Sequence, residues 1–429
     1  MKTIRSIVAL LAISLLVSLV VYSCKSRQKI AISSFDLAEH VNDDPSALPT
    51  LCGPKESHAP DADFPEYTPE RKVKVNVHFL YDEKGGLGLR KSDTKEFSTE
   101  LIRRANGYLQ KNVPMRLPVG NNMPVLPVQF QYVLTGDPDV PGDDGIYHHQ
   151  DPTLCYFKYD TKTKKNSHFN SDVYDKYGVQ KGEVLNIFFL ELHPDSIGKK
   201  NYKTPKGIGG SRWVKMSSVN RQYQKKWINE PDGASTLGEF ACRLLNHEIG
   251  HSLGLNHTWN SNDGCDDTPK NPNCWAPGHP KSCTEEMSSN NVMDYNKWSQ
   301  AYTPCQLGRI HYNFAKLSST QRNILIPEWC DYRKSAKLKI NQNTEWFDSK
   351  DLQGDIVVES GAELTIHCRI ALPAGATITV KPGASLTVVG GVITNLCGDK
   401  WGGINIESDG TKTGSVEFLD NAFVSNVAL

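Results

Sequence analysis

Four segments of the chain have the hydrophobic pattern of β-strands. In two of them, residues 73–81 and 128–134, apolar and polar residues alternate at a period of two, so that one face of each strand would be buried. Residues 185–192 (LNIFFLEL) are instead apolar almost throughout, which is typical of a strand covered on both faces, and we expect this strand at the centre of a sheet. The four predicted strands are residues 73–81, 128–134, 185–192 and 212–219.

Helical spacing and capping signals predict three helices. Apolar side chains recur every four positions along residues 97–109. The pairs Thr236 with Glu239 and Thr303 with Gln306 have the spacing of capping boxes, so we expect one helix to begin at each threonine. The helix that begins at Thr236 carries the metal-binding motif described below.

The order of these elements predicts three parts that follow an export signal. Residues 25–70 are polar and rich in Pro, Asp and Ser, and are predicted to be a tether and a propeptide-like segment. Residues 71–333 combine strands and helices and are predicted to form an α/β (α+β) domain. Residues 334–429 are rich in Val, Ile, Thr and Gly and are predicted to be all-β.

Two stretches of the β-rich part repeat, VESGAELTI and VKPGASLTV. Their glycines, Gly361 and Gly383, lie 22 positions apart (383 − 361). This period is typical of one coil of a parallel β-helix, so we predict a partial right-handed parallel β-helix, with a small β-sandwich as the alternative. Because such coils need about three or more neighbours and no cap is evident, we expect this region to be truncated.

The N-terminus predicts export. Lys2 and Arg5 precede an apolar run over residues 7–22, so residues 1–24 are predicted to be a lipoprotein-type signal peptide with Cys24 as the lipidated residue. An ordinary signal peptide or an uncleaved anchor is the alternative. The expected location is the bacterial outer membrane or cell surface, or the medium. A formal net charge of zero argues against a nucleic-acid partner.

Residues 247–257 (HEIGHSLGLNH) contain a complete metal-binding motif. His247 and His251 lie one helical turn apart on one face, and Gly254 allows the chain to turn back so that His257 reaches the same ion. Three imidazoles and one open position are typical of a catalytic zinc. Glu248 is placed to be the general base for a zinc-activated water. A helix whose histidines only make ordinary hydrogen bonds is the alternative.

A second motif supports the first. Met293 lies in the sequence NNVMDYN, 36 positions after the last histidine (293 − 257), which is typical of the Met-turn of metzincins, where the methionine forms an apolar floor below the metal. Together with HEIGHSLGLNHTW, Asp267-Thr268-Pro269 and Tyr302-Thr303, it makes residues 70–325 resemble the pappalysin-type metzincins, here a bacterial secreted or lipoprotein member.

The resemblance implies a secreted zinc endopeptidase whose catalytic domain is divided by a cleft. It assigns zinc to the three histidines, proton transfer to Glu248 and stabilisation of the tetrahedral oxyanion to Tyr295. The alternative for Tyr295 is a packed aromatic ring with a hydrogen-bonded hydroxyl. A peptide substrate would lie along residues 210–216 and would be held by main-chain hydrogen bonds.

The resemblance also implies calcium in the Asp-rich loop after the third histidine. Carboxylate and carbonyl oxygens suit calcium, and Asp267 and Thr268 are the candidate ligands. The loop lacks the Gly-Asp-x-Val insert of the family, so a solvated turn pinned by a disulfide is the alternative.

Eleven cysteines in an exported chain suggest disulfides. Two pairs follow from the family pattern, and a third is expected across adjacent coils of the β-rich tail. Cys242, one turn before the motif, is predicted to be a buried core residue. The expected disulfides are Cys265–Cys283, Cys274–Cys305 and Cys368–Cys397.

Cys52-Gly53 lies where relatives have a Cys-Gly whose thiolate can bind the zinc and block its water. We therefore consider a cysteine-switch zymogen that is activated by cleavage between Cys52 and Arg71. The alternative is a disulfide from Cys52 to Cys155 or Cys330.

Two functions of different classes follow. The first is a zinc-dependent endopeptidase that acts on proteins or peptides. The second is a catalytically silent surface adhesin or glycan-binding protein that works through its β-rich tail. The intact Glu248 favours the first, because a binding scaffold has no chemical need for it.

Overall fold

The computed structural model describes most of the chain after residue 29. The predicted signal peptide and Cys24 lie outside the described residues. Within the described part, every helix is too short or too polar to cross a membrane. The described residues are 30–49, 52–83, 89–157, 170–192, 206–217, 219, 226, 228–260, 262–271, 288–295 and 298–429.

A mixed sheet with helices packed against it forms the first region, which we call the α/β region (residues 71–329). The described strands up to its end are β1 (Ala31–Ser34), β2 (Arg71–Tyr81), β3 (Phe130–Leu134), β4 (Ile146–Gln150), β5 (Tyr156–Phe157), β6 (Leu185–Leu192), β7 (Gly207–Gly209) and β8 (Trp213–Ser217). Among the described residues, the helices of four or more residues are α1 (Thr94–Gln110), α2 (Asp172–Tyr177), α3 (Gly233–Ser252), α4 (Pro304–Ala315) and α5 (Thr320–Asn323).

Strand β6 lies in the middle of this sheet, as its continuous apolar sequence predicts. The strand order is β3-β2-β6-β8-β7, with β4 pairing to the second half of β2 and β5 to the end of β6. Every pairing is parallel except that of β7 with β8. Seven of the eight residues of β6 are buried, and only Leu192 is partly exposed. All four predicted strands and the helix over residues 97–109 are confirmed.

The two predicted capping boxes differ in outcome. The Thr303–Gln306 box is present at the start of α4. The Thr236–Glu239 box is wrong, because α3 begins at Gly233 and the Thr236 amide already donates to the Asp232 carbonyl as a helical residue does. A helix start three residues earlier leaves the position of the metal-binding motif on α3 unchanged.

The second region, residues 338–424, consists of three parallel sheets, and we call it the three-sheet region. Each sheet takes one strand from each successive repeat, in the orders β9-β12-β15-β18, β10-β13-β16-β19 and β11-β14-β17-β20. The strands are β9 (Leu338–Ile340), β10 (Thr344–Trp346), β11 (Lys350–Asp351), β12 (Ile356–Val358), β13 (Glu363–Ile366), β14 (Arg369–Ala371), β15 (Ile378–Val380), β16 (Ser385–Val389), β17 (Val392–Thr394), β18 (Ile404–Ser408), β19 (Ser415–Leu419) and β20 (Phe423–Val424).

The repeat seen in the sequence sets the register of these sheets. Leu364 pairs with Leu386, which lies 22 positions later (386 − 364) and in turn pairs with Val416. Leu364 and Leu386 are fully buried in the core of the region. Equivalent residues therefore stack in columns, as the 22-residue period requires.

Residues 30–70 pack against the rest of the protein, which differs from the predicted tether. Strand β1 pairs antiparallel with β18 and extends the first of the three sheets. Leu37 and Tyr67 are buried in the core of the three-sheet region. A few apolar side chains in a polar sequence are enough to hold this segment, and composition alone did not reveal them.

The three disulfides among the described residues differ from all three predicted pairs. They are Cys52–Cys368, Cys265–Cys305 and Cys330–Cys397. The predicted pairs Cys265–Cys283 and Cys274–Cys305 are wrong because Cys265 and Cys305 bond to each other; Cys274 and Cys283 lie outside the described residues. Cys242 is a free, fully buried thiol in the core of the α/β region, as predicted.

Strand register explains why Cys368 and Cys397 do not pair. The β14–β17 ladder places Arg369 opposite Val392, so the residue stacked beside Cys368 is Gly391 rather than Cys397. Cys368 is reached instead by Cys52 of the N-terminal segment. The predicted cysteine switch is therefore wrong: the sulfur of Cys52 is in a disulfide and is no thiolate, and its partner is neither Cys155 nor Cys330.

The two regions meet at a buried ionic contact that we call the interface charge cluster (Arg71, Arg322, Asp351 and Arg369). Arg322 on α5 donates to the Asp351 carboxylate of β11 at 2.5 Å. Arg369 on β14 donates to the other oxygen of Asp351 at 3.2 Å and to the Ala315 carbonyl at 2.9 Å. These contacts join the ends of α4 and α5 to the three-sheet region.

Candidate metal centre and active site

Helix α3 carries the first two histidines of the motif into the interior. Its apolar side, including Leu237, Leu245 and Ile249, is fully buried in the core of the α/β region. His247 is 6 % exposed, and His251 follows one turn later on the same face. The core thus fixes the direction in which both imidazoles point.

Gly254 turns the chain so that the third histidine returns to the helix. Its φ is +99°, a value that favours glycine, and a Cβ at this position would lie 2.5 Å from the Asn313 amide nitrogen on α4. The Nε2 atom of His257 consequently lies 3.2 Å from that of His247 and 3.0 Å from that of His251. The predicted turn at Gly254 and the convergence of the three rings are both seen.

Hydrogen bonds at the far side of two rings fix their protonation. His247 Nδ1 lies 2.7 Å from the Val292 carbonyl, and His251 Nδ1 lies 2.9 Å from the Leu255 carbonyl. A carbonyl can only accept, so each Nδ1 carries a proton and each Nε2 presents a lone pair. Burial, together with the neighbouring His251, lowers the pKa of His247 to about 3, so this imidazole is neutral at ordinary pH.

This donor set fits one zinc ion. Neutral lone pairs that face one another cannot hydrogen-bond to each other, but they can share a cation. Nitrogens about 2.0–2.1 Å from a tetrahedral zinc would be about 3.3–3.4 Å apart, close to the separations of 3.0 and 3.2 Å between the ring nitrogens. The alternative of histidines satisfied by ordinary hydrogen bonds explains the Nδ1 atoms but leaves the three Nε2 atoms unexplained.

Glu248 lies on α3 and is covered by strand β7. The residue is 4 % exposed, and Gly207 and Gly209 lie so close to it that a Cβ on either would collide with Glu248. Burial raises the pKa of its carboxyl group to about 8, although the Gly209 amide opposes the change. The carboxyl group can therefore gain and lose a proton near neutral pH.

Met293 lies directly beneath the metal-binding helix. It is fully buried, and its sulfur would be 2.5 Å from a Cβ placed on Gly250, so the thioether packs against the helix backbone between the first two histidines. The Met293 amide donates to the Asn291 side chain at 2.8 Å, and Asn291 exchanges two hydrogen bonds with Gln306 at the start of α4. These hydrogen bonds connect the turn that contains Met293 to the capped start of α4.

Tyr295 faces the histidine cluster from the same turn. Its ring centroid lies 5.8 Å from that of His247 and 5.0 Å from that of His257, and the residue is 41 % exposed. Burial of the hydroxyl and the neighbouring Glu248 raise its pKa above the usual value. The hydroxyl therefore keeps its proton and can donate a hydrogen bond.

Trp259 is part of this site, although neither sequence motif assigns it a role. Its ring stacks on that of His257 with centroids 4.1 Å apart and planes 23° apart, and its centroid lies 4.6 Å from that of Tyr295. Its position two residues after the third histidine was the available signal. The indole covers a face of the His257 ring and fixes its orientation.

The Asp-rich loop is used to hold helix α4. Asp267 accepts hydrogen bonds from the Thr303 hydroxyl at 2.8 Å and from the Cys305 amide at 2.9 Å, and the Cys265–Cys305 disulfide pins the same turn. The Thr268 hydroxyl donates to Asp263 at 2.8 Å. The contacts favour the disulfide-pinned turn, and calcium at Asp267 and Thr268 remains a prediction.

Residues 219–315 match the model of a known protein family. The matching model is that of peptidase family M43, described as pregnancy-associated plasma protein-A. This segment contains α3, the histidine motif, the methionine turn and α4. No curated protein sequence matches the chain.

Solved structures show weaker similarity. Mature mirolysin of Tannerella forsythia, in complex with a cleaved peptide, is 16 % identical over 60 % of this chain and 96 % of its own, with a TM-score of 0.39. A promirolysin variant from the same organism is 16 % identical over 63 % of this chain and 87 % of its own, with a TM-score of 0.38. A zinc-dependent peptidase of Methanocorpusculum labreanum is 15 % identical over 55 % of this chain and 93 % of its own, with a TM-score of 0.21. TM-scores this low do not establish a common fold, and the assignment depends on residues 219–315.

Proposed function

We propose that this chain, which is a metzincin zinc metalloendopeptidase of the pappalysin type, hydrolyses peptide bonds of protein substrates with His247, His251 and His257 as the zinc ligands and Glu248 as the general base. The observation that carries the proposal is the convergence of three imidazole nitrogens, all within 4.8 Å of one another and two of them within 3.2 Å of the third, beside an enclosed carboxyl group.

The residues around the metal divide the work of hydrolysis. Zinc, when bound, acts as a Lewis acid that polarises the scissile carbonyl and makes a water molecule more acidic. Glu248 takes a proton from the attacking water as the new C–O bond forms, holds it, and passes it to the leaving nitrogen as the C–N bond breaks. Burial raises the pKa of this carboxyl group above its usual value, which makes its carboxylate a stronger base toward the attacking water.

Tyr295 is proposed to stabilise the developing oxyanion. Its hydroxyl is protonated, its ring lies beside that of His257, and the residue is partly open to the outside, where a substrate carbonyl would arrive. The substrate itself would add to strands β7 and β8, because β7 is an edge strand and passes directly over Glu248. The glycines of β7 allow that close approach.

Digestion of casein by the full chain tests this proposal. We expect cleavage that a chelator abolishes and zinc restores, and that Glu248→Gln reduces by about 10²–10⁴-fold with unchanged zinc content. A matched control is Glu239→Gln on the exposed side of the same helix, which should cleave at the wild-type rate. Zinc bound without any chelator-sensitive cleavage would favour the surface adhesin instead.

The finer description of the three-sheet region is also a proposal. The strands of each sheet are parallel and are separated in sequence by strands of the other two sheets, which is the arrangement of coils in a parallel β-helix. Crossover connections between parallel strands are right-handed in about 98 % of cases, so we propose a right-handed helix. A crystal structure with left-handed coils would contradict this.

Export as a lipoprotein remains part of the proposal. The sequence of residues 1–24 supports it, and the three disulfides suit an oxidising compartment. Labelled fatty acid should be incorporated into the chain in a bacterial host and should be absent from a Cys24→Ala variant. Equal label in both variants would refute lipidation at Cys24.

A further inference from the structure

A narrow cavity lies beside the interface charge cluster, far along the chain from the histidine site. Its volume is about 20 Å³, and its walls come from the N-terminal segment, from α4 and from the turn before β11. Arg71, Tyr67, His311, Ser349 and Lys350 are among its lining residues. All five are buried, with exposed fractions between 3 % and 8 %.

The charges around this cavity do not balance. Arg71, Arg322 and Arg369 surround the carboxylate of Asp351, whose two oxygens are already used by Arg322 and Arg369. A second acid near Arg71, Glu328, is already bound by two other cations, Lys72 and Arg333. Arg71 reaches only the main-chain carbonyl of Asp351, at 2.8 Å. Three guanidinium groups against one carboxylate leave an excess charge of +2 in a buried place (3 − 1).

The other acid at the cavity does not remove this excess. Asp348 lines the wall but accepts from the Lys350 ammonium at 2.7 Å, and this pair is neutral as a whole. His58 and His311 also line the wall, and burial lowers the pKa of both, so neither imidazole adds a compensating or a further charge at neutral pH.

Three residues that line the cavity each have a buried donor without a hydrogen-bond partner in the described part of the chain. The donors are Nη1 of Arg71 and the hydroxyls of Tyr67 and Ser349, and their residues are 8 %, 3 % and 6 % exposed. A buried donor without an acceptor is costly, and one attached to a cation is more so. Burial, with Arg322 and Arg369, lowers the pKa of Arg71 to about 10, although Asp351 and Glu328 oppose the change. An anion that accepts from Arg71 and Ser349 would reduce the excess charge and pair these donors together.

We propose that this cavity binds one small monovalent anion of halide size, and that the anion helps to hold the α/β region against the three-sheet region. A volume of about 20 Å³ is enough for about one water-sized particle, which favours a monatomic anion over a polyatomic one. A water molecule could accept from these donors but would leave the excess charge. The site is separate from the histidine cluster and does not depend on the proposed protease activity.

Thermal unfolding of the full chain tests the proposal in solution. At constant ionic strength, replacing gluconate by chloride or bromide should raise the unfolding temperature by about 2–4 °C, whereas phosphate should give no such gain. Arg71→Gln should abolish the halide response. Ser349→Ala, which keeps every charge and is the milder change, should shift the halide response to several-fold higher concentration.

Lys337→Gln is the matched control, since it removes a cation that lies at the surface of the same part of the chain, 3.7 Å from Asp355, and it should keep the full response. Crystals grown in bromide should show one anomalous scattering peak within contact distance of Arg71 and Ser349. Equal unfolding temperatures in halide and gluconate, or a cavity that contains only water in bromide crystals, would overturn the proposal.

Discussion

The α/β region and the three-sheet region bury their side chains for different purposes. The interior of the α/β region includes polar groups that the fold holds under constraint, such as His247 and Glu248 beneath strand β7. The interior of the three-sheet region is mostly aliphatic and repeats in register, as the column Ile356, Ile378 and Ile404 shows. In the α/β region, the burial of polar groups lowers stability but positions reactive side chains. In the three-sheet region, repeated aliphatic contacts increase stability.

The largest expected effect separates these roles directly. Ile378→Ala removes a fully buried side chain from the middle of its column and should lower the free energy of unfolding by about 2–5 kcal/mol. Casein cleavage at low temperature should be unchanged, because the site is untouched. Denaturant titration of the full chain measures the free energy of unfolding, and initial rates measure casein cleavage.

Ile187→Ala on β6 is the matched variant in the α/β region. If the interface charge cluster couples the two regions, both variants should lower one common unfolding transition. Two separate transitions, each sensitive to one variant only, would show that the regions unfold independently.

The next effect concerns Cys52. Replacing Cys52 and Cys368 together by serine should cost about 2–4 kcal/mol of stability, because the N-terminal segment is no longer tied to the three-sheet region. It should not produce early activity, since Cys52 is bonded to Cys368 and not available to the zinc. The test is activity measured before and after limited proteolysis. Higher activity of the uncut variant than of the uncut wild type would support the cysteine-switch hypothesis.

A smaller effect should appear as a dependence of stability on pH. Burial alone would raise the pKa of Asp351, but Arg322, Arg369 and Arg71 hold it well below its usual range. The stability from this carboxylate is therefore present above the unfolded pKa of about 3.9 and is lost as the pH falls through the lower folded value. Between about pH 6 and pH 3 the loss should be about 1 kcal/mol.

The measurement is the free energy of unfolding across this pH range for the wild type and Asp351→Asn. Asp351→Asn should lack the decrease in the free energy of unfolding that protonation of Asp351 causes in the wild type. Glu417→Gln, which replaces an exposed acid of β19, should retain it. Identical slopes in wild type and Asp351→Asn would contradict the assigned charge state.

The smallest expected effect lies at the metal site. Trp259→Ala removes the ring that stacks on His257, and aromatic contacts of this kind contribute about 0.5–1.5 kcal/mol. Zinc should therefore bind about two- to tenfold more weakly, while Trp259→Phe should largely preserve the affinity. Competition with a zinc indicator measures this, and unchanged affinity in the alanine variant would show that the stack plays no part in holding the ligand.

Local patterns predicted the elements that carry the chemistry. The zinc helix, the turn at Gly254, the methionine turn and the central strand are each encoded within a dozen residues, so spacing and periodicity suffice. The cap of α4 at Thr303 is equally local.

Long-range contacts could not be predicted in the same way. The partner of Cys368 lies 316 positions away, and strand register, not proximity in sequence, excludes Cys397. Strand β1 is exposed along its whole length, so it has no hydrophobic alternation to reveal its pairing with β18. Trp259 was missed because a single aromatic residue next to a motif usually indicates only packing.

The Cys52–Cys368 disulfide has a topological consequence. It closes a covalent ring of 317 residues (368 − 52 + 1) that contains the whole α/β region, including every zinc ligand. One proteolytic cut anywhere in this ring converts it to a linear polymer without dividing the molecule. Cut and uncut chains would therefore differ in mass by only one water molecule until a reductant opens the bond, and a maturation event inside the ring would escape any assay that looks only for lost fragments.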